Sequence, residues 1–146
     1  MWETSSGKLL RHMDGKIGQV GHLAFHPDGV RLAAADYERS SVHVWNADTG
    51  AEQVELPGGP GVSCVGYSPD GRRLAAMGYD ANVRLWDADS AQDLLVLRTF
   101  AEPPGTLGFT PRFAFSPDGS RIVANSVHGI LSLWDAGPAA AAKTAK

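Results

Sequence analysis

The chain has 146 residues, of which 43% are hydrophobic and 20% are charged, and its formal net charge is −3. A slightly acidic chain without a run of lysine or arginine is not expected to bind nucleic acid or an anionic membrane surface, and the single cysteine, Cys64, excludes an internal disulfide. No apolar run approaches the ~20 residues that cross a bilayer, and the first residues lack a secretion signal, so we expect a cytoplasmic protein.

The first sixteen residues are typical of the end of a repeat. Trp2 is followed by a small polar turn and by an apolar pair, Leu9 and Leu10, just as Trp45 is followed by a turn and an apolar segment at 53–56. We therefore predict an outer strand at residues 8–11 and assign residues 1–16 to the end of a preceding repeat.

Three similar units follow, which we place at residues 17–57, 58–98 and 99–135. Each contains an apolar strand, a Pro-Asp-Gly turn, a short second strand, a second turn and a strand that ends in tryptophan. The predicted strands are 20–25, 32–35, 41–46, 53–56, 62–67, 74–77, 82–87, 93–98, 112–115, 122–125 and 130–135. The turn prolines lie 42 and 48 residues apart, and a period of about 40–45 residues with four strands per unit is typical of a β-propeller blade.

The Pro-Asp-Gly turns have the composition of three-residue hairpin loops. Proline presets φ, aspartate hydrogen-bonds locally, and glycine takes the left-handed conformation. We assign this structural role to Asp28, Gly29, Asp70, Gly71, Asp118 and Gly119. The three aspartates lie in different units, so they are not expected to form one catalytic set.

The tryptophans follow the same repeat. They are 43, 41 and 48 residues apart, at Trp2, Trp45, Trp86 and Trp134. We predict that all four fill the space between neighbouring sheets, where the loss of one costs about 3–5 kcal/mol, rather than stacking on a ligand.

The third unit contains an insertion, and the chain ends in a simple tail. Residues 100–111 form a loop with three prolines and two aromatic residues. Residues 136–146 are rich in alanine and have no strand pattern, so we predict a flexible tail.

The sequence does not indicate a catalytic, cofactor or metal site, and no buried charged cluster is apparent. His22 and His26 on one side of a strand lie about 13 Å apart, which is too far to bind one metal ion. Cys64 lies in an apolar strand and is predicted to be an inert core thiol. Nucleophile-elbow, zinc and phosphate-binding patterns are absent from the sequence. We therefore expect a protein that is not an enzyme and that needs no cofactor.

The repeated units resemble the WD-repeat β-propeller family, most closely in the second unit, SPDGRRLAAMGYDANVRLWD. The resemblance implies an all-β propeller with four-stranded antiparallel blades that serves as a protein–protein interaction scaffold. The family's turn aspartate is present as Asp80 but is replaced by Arg39 and His128 in the other units. The glycine-histidine pair before each first strand is also changed. The resemblance therefore implies that the family's buried histidine–serine–tryptophan–aspartate network is incomplete in every blade.

The number of blades is too small for a closed ring. The predicted strands make three four-stranded blades if the strand at 8–11 completes the third, whereas propellers typically have about 4–8 blades. The chain is therefore either a sector of a longer protein or a subunit that closes a ring with another copy. We favour the sector, because Met1 lies within a repeat.

The candidate partner-binding surface lies on the loops that emerge on one side of such a propeller. Aromatic residues and arginine are favoured at interaction centres. The candidates are Tyr37, Glu38, Arg39, Tyr79, Phe109, Arg112 and His128. Two alternatives stay open. In the first, the inserted loop has no function and persists because lengthening a loop from about five to about thirteen residues costs only about 1 kcal/mol of closure entropy. In the second, the chain mainly binds copies of itself through exposed blade faces and edge strands.

Overall fold

The computed structural model describes residues 1–13, 17–99, 111–125 and 130–135. These residues contain eleven β-strands and no helix. The eleven strands predicted from residue 20 onwards are confirmed to within two residues at each end. The strands are β1 Val20–Phe25, β2 Arg31–Asp36, β3 Ser41–Asn46, β4 Glu52–Pro57, β5 Cys64–Tyr67, β6 Arg73–Met77, β7 Asn82–Asp87, β8 Asp93–Arg98, β9 Phe113–Phe115, β10 Arg121–Asn125 and β11 Leu131–Asp135.

The strands form three antiparallel sheets in the order in which they occur along the chain. Strands β1–β4 form the first sheet, β5–β8 the second, and β9–β11 the third. The first two sheets share an irregularity in register. It shifts between Val44 and Trp45 where β3 pairs with β4, and between Leu85 and Trp86 where β7 pairs with β8. The prediction of an all-β fold in the form of an incomplete propeller ring is therefore confirmed.

The predicted outer strand at residues 8–11 is wrong, and the third sheet has three described strands instead of four. Residues 1–13 pair with themselves, since Trp2 and Leu9 form an isolated bridge. Arg11 then donates hydrogen bonds to the carbonyl oxygens of Asp48 and Thr49, at 2.6 and 2.8 Å. These bonds hold the N-terminal segment on the first sheet, away from the third sheet that it was expected to complete.

Hydrophobic side chains are buried between neighbouring sheets. Between the first and second sheets, Val42 and Val44 of β3 belong to one cluster with Val65, Leu74 and Trp86. A second cluster joins the next pair of sheets, and its buried members are Cys64, Ala75, Met77, Ala81, Val83, Leu85, Ile122 and Ala124. Each sheet is therefore stable only with a neighbour that covers its face.

The four tryptophans differ in burial. Trp86 is 1% exposed and lies between the first and second sheets. Trp134 is half-buried and packs against the second cluster. Trp45 is 4% exposed on the other face of β3, beside the N-terminal segment. The prediction for Trp2 is wrong, because its side chain is 64% exposed in a segment that folds back on itself and does not enter a sheet.

Polar side chains connect the sheets around the buried clusters. Arg31, at the start of β2, donates to the Ala88 carbonyl oxygen at 2.8 Å and to Asp89 Oδ1 at 2.9 Å in the second sheet. Arg73, at the start of β6, donates to the Gly119 carbonyl oxygen of the third sheet at 2.7 Å. The first residue of each of these second strands therefore binds the next sheet along the chain.

The Pro-Asp-Gly turns have the predicted geometry. The φ angles of their glycines are 75°, 73° and 70°, at Gly29, Gly71 and Gly119. Each aspartate accepts a hydrogen bond from the backbone amide two residues later, at 2.8, 3.1 and 3.0 Å for Asp28, Asp70 and Asp118. Hydrogen bonds, first of all the one from the Ser116 hydroxyl, lower the pKa of Asp118 to about 2.

Replacing Trp86 with alanine is expected to lower the free energy of unfolding by about 3–5 kcal/mol, because the change leaves a cavity between two sheets. The matched control is Trp2→Ala, for which the expected change is below about 0.5 kcal/mol, since the side chain is exposed. Urea denaturation followed by circular dichroism measures both values. Equal losses for the two variants would contradict the placement of Trp86 in the core.

Candidate functional site

Two tyrosines from neighbouring sheets form the centre of the candidate site. Tyr37 follows β2 and Tyr79 follows β6, and their rings make an edge-to-face contact with centroids 5.6 Å apart. They remain 37% and 40% exposed. Desolvation and the neighbouring hydroxyl of Tyr37 raise the pKa of Tyr79. The pair is therefore an aromatic surface that is fixed in orientation and accessible to a partner.

Backbone contacts hold the tyrosine pair in place. The Tyr37 amide donates to the Gln19 carbonyl oxygen at 2.9 Å, and the Tyr79 amide donates to the Pro60 carbonyl oxygen at 2.8 Å. Gly61 has a φ of 55° and lies directly against the rings, so that a Cβ there would be 2.5 Å from Tyr79 Cδ2 and 3.2 Å from Tyr37 Cε2. Only glycine suits both this backbone conformation and this close approach.

A cleft of about 330 Å³ lies beside the tyrosine pair. It is lined by Gln19, Gly21, Tyr37, Ser63, Tyr79 and Arg112. None of these residues is acidic, and Arg112 supplies one positive charge. The Arg112 amide donates to Asn125 Oδ1 at 2.6 Å, whereas its exposed guanidinium has no partner in the part of the chain that the structure describes. The cleft therefore combines aromatic surface with hydrogen-bond donors suited to an anionic group.

The other candidate residues are placed differently. Glu38 and Arg39 follow Tyr37 on the same loop and are exposed, but they do not line the cleft. The Arg39 amide donates to Oδ1 of the buried Asp36 at 3.1 Å, which fixes the loop backbone. Two further candidates, Phe109 and His128, lie outside the described residues. The structure thus brings together Tyr37, Tyr79 and Arg112.

Asp80 lies next to Tyr79 and forms an ion pair within its own sheet. Arg84 donates to both carboxylate oxygens, at 3.2 Å to Oδ1 and 2.6 Å to Oδ2, and Asn82 donates to Oδ2 at 3.1 Å. Desolvation opposes ionisation of Asp80, but these donors outweigh it and lower its pKa. The Asp80 carboxylate therefore stabilises the turn between β6 and β7 through these hydrogen bonds.

A buried polar cluster that the sequence analysis missed lies in the first sheet. Ser41 Oγ is 2.8 Å from His43 Nε2, and Glu52 Oε1 is 2.5 Å from His43 Nδ1. The imidazole also stacks on Trp45, with ring centroids 5.4 Å apart. Strand alternation places residues 41, 43 and 45 on one face, and this is the sequence signal that could have indicated the cluster.

The order of groups in this cluster is that of a serine-hydrolase triad, in which a histidine links a serine to a carboxylate. A nucleophile must also reach its substrate. Ser41 and His43 are only 5% and 2% exposed, and neither lines the cleft beside Tyr37 and Tyr79. We therefore assign the cluster a structural role, in which it satisfies polar groups beneath Trp45.

In the second sheet, the corresponding positions of β7 are filled by Asn82, Arg84 and Trp86, and the first two bind Asp80 in place of a serine–histidine–carboxylate cluster. Trp86 Nε1 is buried without a hydrogen-bond partner among the described residues. Residues 1–13, 17–99, 111–125 and 130–135 contain no group of His, Cys, Asp and Glu side chains arranged to hold a metal ion. Nor do the described residues include a helix of the length and hydropathy needed to cross a membrane.

The chain matches the family model described as "WD domain, G-beta repeat" at residues 7–46 and 51–87, which together exceed half of its length. It is 29% identical to a coronin-like protein of Saccharomyces cerevisiae over 80 residues, or 55% of this chain and 12% of that protein. It is 28% identical to the periodic tryptophan protein 2 homolog of Schizosaccharomyces pombe over 93 residues, or 63% of this chain and 11% of that protein.

A third relative is the WD repeat and SOCS box-containing protein 1 of Xenopus tropicalis. It is 32% identical over 91 residues, which are 61% of this chain and 22% of that protein. The alignments thus span between about a tenth and a fifth of the length of these three relatives.

Replacing Gly61 with alanine is expected to displace the tyrosine pair and to destabilise the protein more than Gly29→Ala does. Both glycines have a positive φ, but nothing lies within 4 Å of a Cβ at Gly29. The control therefore isolates the backbone cost, about 1 kcal/mol or more. Chemical denaturation measures the stabilities, and near-ultraviolet circular dichroism reports the tyrosine environment. An unchanged tyrosine spectrum in the Gly61 variant would show that this contact does not fix the pair.

Proposed function

This chain belongs to the WD-repeat family, and we propose that it is a non-catalytic scaffold that binds protein partners through the cleft formed by Tyr37, Tyr79 and Arg112. The single observation that carries the proposal is the convergence of these three side chains from three different sheets. Sites of this kind arise where loops of variable sequence are held on a rigid framework. Glu38 and Arg39 extend the same surface along the first loop.

The chemistry of the cleft favours a particular kind of partner segment. Two half-exposed tyrosine rings offer apolar area with little loss of side-chain entropy on binding. Beside them, the Arg112 guanidinium can donate hydrogen bonds, while no lining residue supplies a carboxylate. A segment with an acidic side chain next to an apolar one satisfies both halves of the cleft.

A scaffold role without catalysis agrees with the placement of the ionisable groups. In the Ser41–His43–Glu52 cluster, the serine and the histidine are buried within the first sheet, and only the Glu52 carboxylate is exposed. The carboxylates of the Pro-Asp-Gly turns accept hydrogen bonds from their own backbone. These groups are used to hold the sheets and turns in shape, which leaves recognition by surface complementarity as the mechanism.

A second candidate function is self-association, and it is favoured by the apolar residues exposed at the two ends of the series of sheets. Leu23 and Phe25 of the first sheet are 56% and 53% exposed. Leu131 and Leu133 of the third sheet are 68% and 65% exposed. Exposed apolar side chains on adjoining strands are typical of an interaction surface.

The scaffold proposal is tested with the double variant Tyr79→Ala/Arg112→Ala. We expect it to lose the proteins that the wild-type chain captures from a cell extract, because both halves of the cleft are removed, while its melting temperature changes little. The matched control is Arg98→Ala, which removes an exposed arginine from β8. Quantitative mass spectrometry of the captured proteins compares the three baits. If the double variant captures the same proteins in the same amounts, the cleft is not the binding site.

A further inference from the structure

The two described interfaces between sheets are built in the same way. The leading sheet contributes an aliphatic pair from its third strand, and the following sheet contributes a tryptophan. Val42 and Val44 are 0% and 5% exposed where they meet the second sheet. In the next interface, Val83 and Leu85 are 0% and 4% exposed. We call the surface that carries such an aliphatic pair the leading face.

The leading face of the third sheet is uncovered among the described residues. Its aliphatic pair is Leu131 and Leu133, which are 68% and 65% exposed although they occupy the places of Val83 and Leu85. Arg121 begins β10 just as Arg73 begins β6. The Arg121 side chain is exposed and has no partner in the described ranges, so that both the apolar and the cationic parts of a leading face are available here.

The first sheet presents the complementary surface, which we call the receiving face. A Cβ on Gly71 would lie 2.6 Å from the His26 ring of the preceding sheet, and one on Gly119 would lie 3.5 Å from Pro69. At Gly29, in the same turn of the first sheet, nothing lies within 4 Å. The Pro-Asp-Gly turns of the second and third sheets are therefore covered by the preceding sheet, whereas the turn of the first sheet is uncovered.

The receiving face also has the acceptors that an arginine needs. Arg31 binds the turn after β7, through the Ala88 carbonyl oxygen and the Asp89 carboxylate. In the turn after β3, Ala47 and Asp48 occupy the positions that correspond to Ala88 and Asp89. The Asp48 side chain is exposed, so this turn offers a carbonyl oxygen and a carboxylate in the same order.

An arginine from the same chain already occupies this turn. Arg11 donates to the carbonyl oxygens of Asp48 and Thr49, which lie one and two residues beyond the position of the carbonyl that Arg31 uses. Its side chain lies against Gly50, where a Cβ would be 3.0 Å from Arg11 Cδ. The N-terminal segment covers the sheet loosely, leaving a cleft of about 410 Å³ between the segment and β1.

We propose that the leading face of one copy docks head-to-tail on the receiving face of a second copy, with Arg121 binding the turn at Asp48, and that Arg11 opposes this docking because it occupies the same turn. The proposal rests on the self-association candidate described above and identifies the two faces and the competing residue. Because the faces differ, the contact is heterologous and produces a ring or an open chain of copies.

The occupant is a second copy because the two faces match each other in the same chain. The leading face carries a cation and two leucines, and the receiving face carries the Asp48 carboxylate and the exposed Leu23 and Phe25. Both matches already occur inside the molecule, at the contact between the first and second sheets. Opposite charges and apolar area therefore face each other in the proposed contact.

The test is sedimentation velocity of the full chain over a concentration series. Arg11→Ala is expected to tighten self-association about tenfold, because the change removes the hydrogen bonds that compete for the turn at Asp48. Arg121→Glu is expected to weaken it by at least a similar factor, whereas Arg98→Glu, with the same change of charge elsewhere, leaves it unchanged. Adding Asp48→Arg to Arg121→Glu is expected to restore association.

The outcomes separate the arginine proposal from self-association itself. A second variant, Leu131→Gln/Leu133→Gln, removes the apolar half of the leading face at two exposed positions and is expected to abolish association. If it does so while Arg121→Glu behaves like Arg98→Glu, the arginine contact is wrong and self-association stands. If wild type and Arg11→Ala remain monomeric at every concentration, both ideas fail. Association that survives the double leucine change overturns the assignment of the faces.

Discussion

The structure depends on the burial of one sheet's aliphatic pair against the next sheet's tryptophan and its surroundings. A single four-stranded sheet of this chain has two apolar faces, so by itself it cannot bury its apolar side chains away from water. Val42 and Val44 become buried only because the second sheet brings Trp86 and its neighbours against them. The same arrangement recurs with Val83 between the second and third sheets. Stability is thus a property of neighbouring pairs of sheets, and each pair depends on the short turns that align the strands.

Polar groups around these apolar contacts determine how the sheets are aligned. Arg31 and Arg73 each extend from the start of a second strand and donate hydrogen bonds to carbonyl oxygens in the turns of the following sheet. His26 Nε2 lies 2.8 Å from the Gly71 carbonyl oxygen. Such contacts determine which face of one sheet packs on which face of the next, because a leading face differs from a receiving face. The same directional alignment places the loops of Tyr37 and Tyr79 side by side, and the candidate binding cleft is a consequence of it.

The features that sequence reasoning predicted well are those determined by neighbouring residues. A Pro-Asp-Gly turn needs only its own residues, so the turn at Asp118 and the strands beside it follow from the local pattern. The features it missed depend on contacts between distant positions. Whether residues 8–11 pair with the third sheet or fold back is decided by Arg11 and its bonds to the turn at Asp48. The polar cluster around His43 likewise requires Glu52 from the adjacent strand. For the candidate site, the sequence indicated the loops that carry Tyr37, Tyr79 and Arg112, but their meeting in one cleft depends on the packing of three sheets.

The most direct test of this account is the solvent accessibility of the four indoles, measured by fluorine NMR of the chain labelled with 5-fluorotryptophan in the presence of a soluble paramagnetic quencher. The account predicts a strongly broadened resonance for Trp2, an intermediate one for Trp134, and two protected resonances for Trp45 and Trp86, in line with their burial. Four resonances that broaden equally would contradict the packing of neighbouring sheets through their tryptophans.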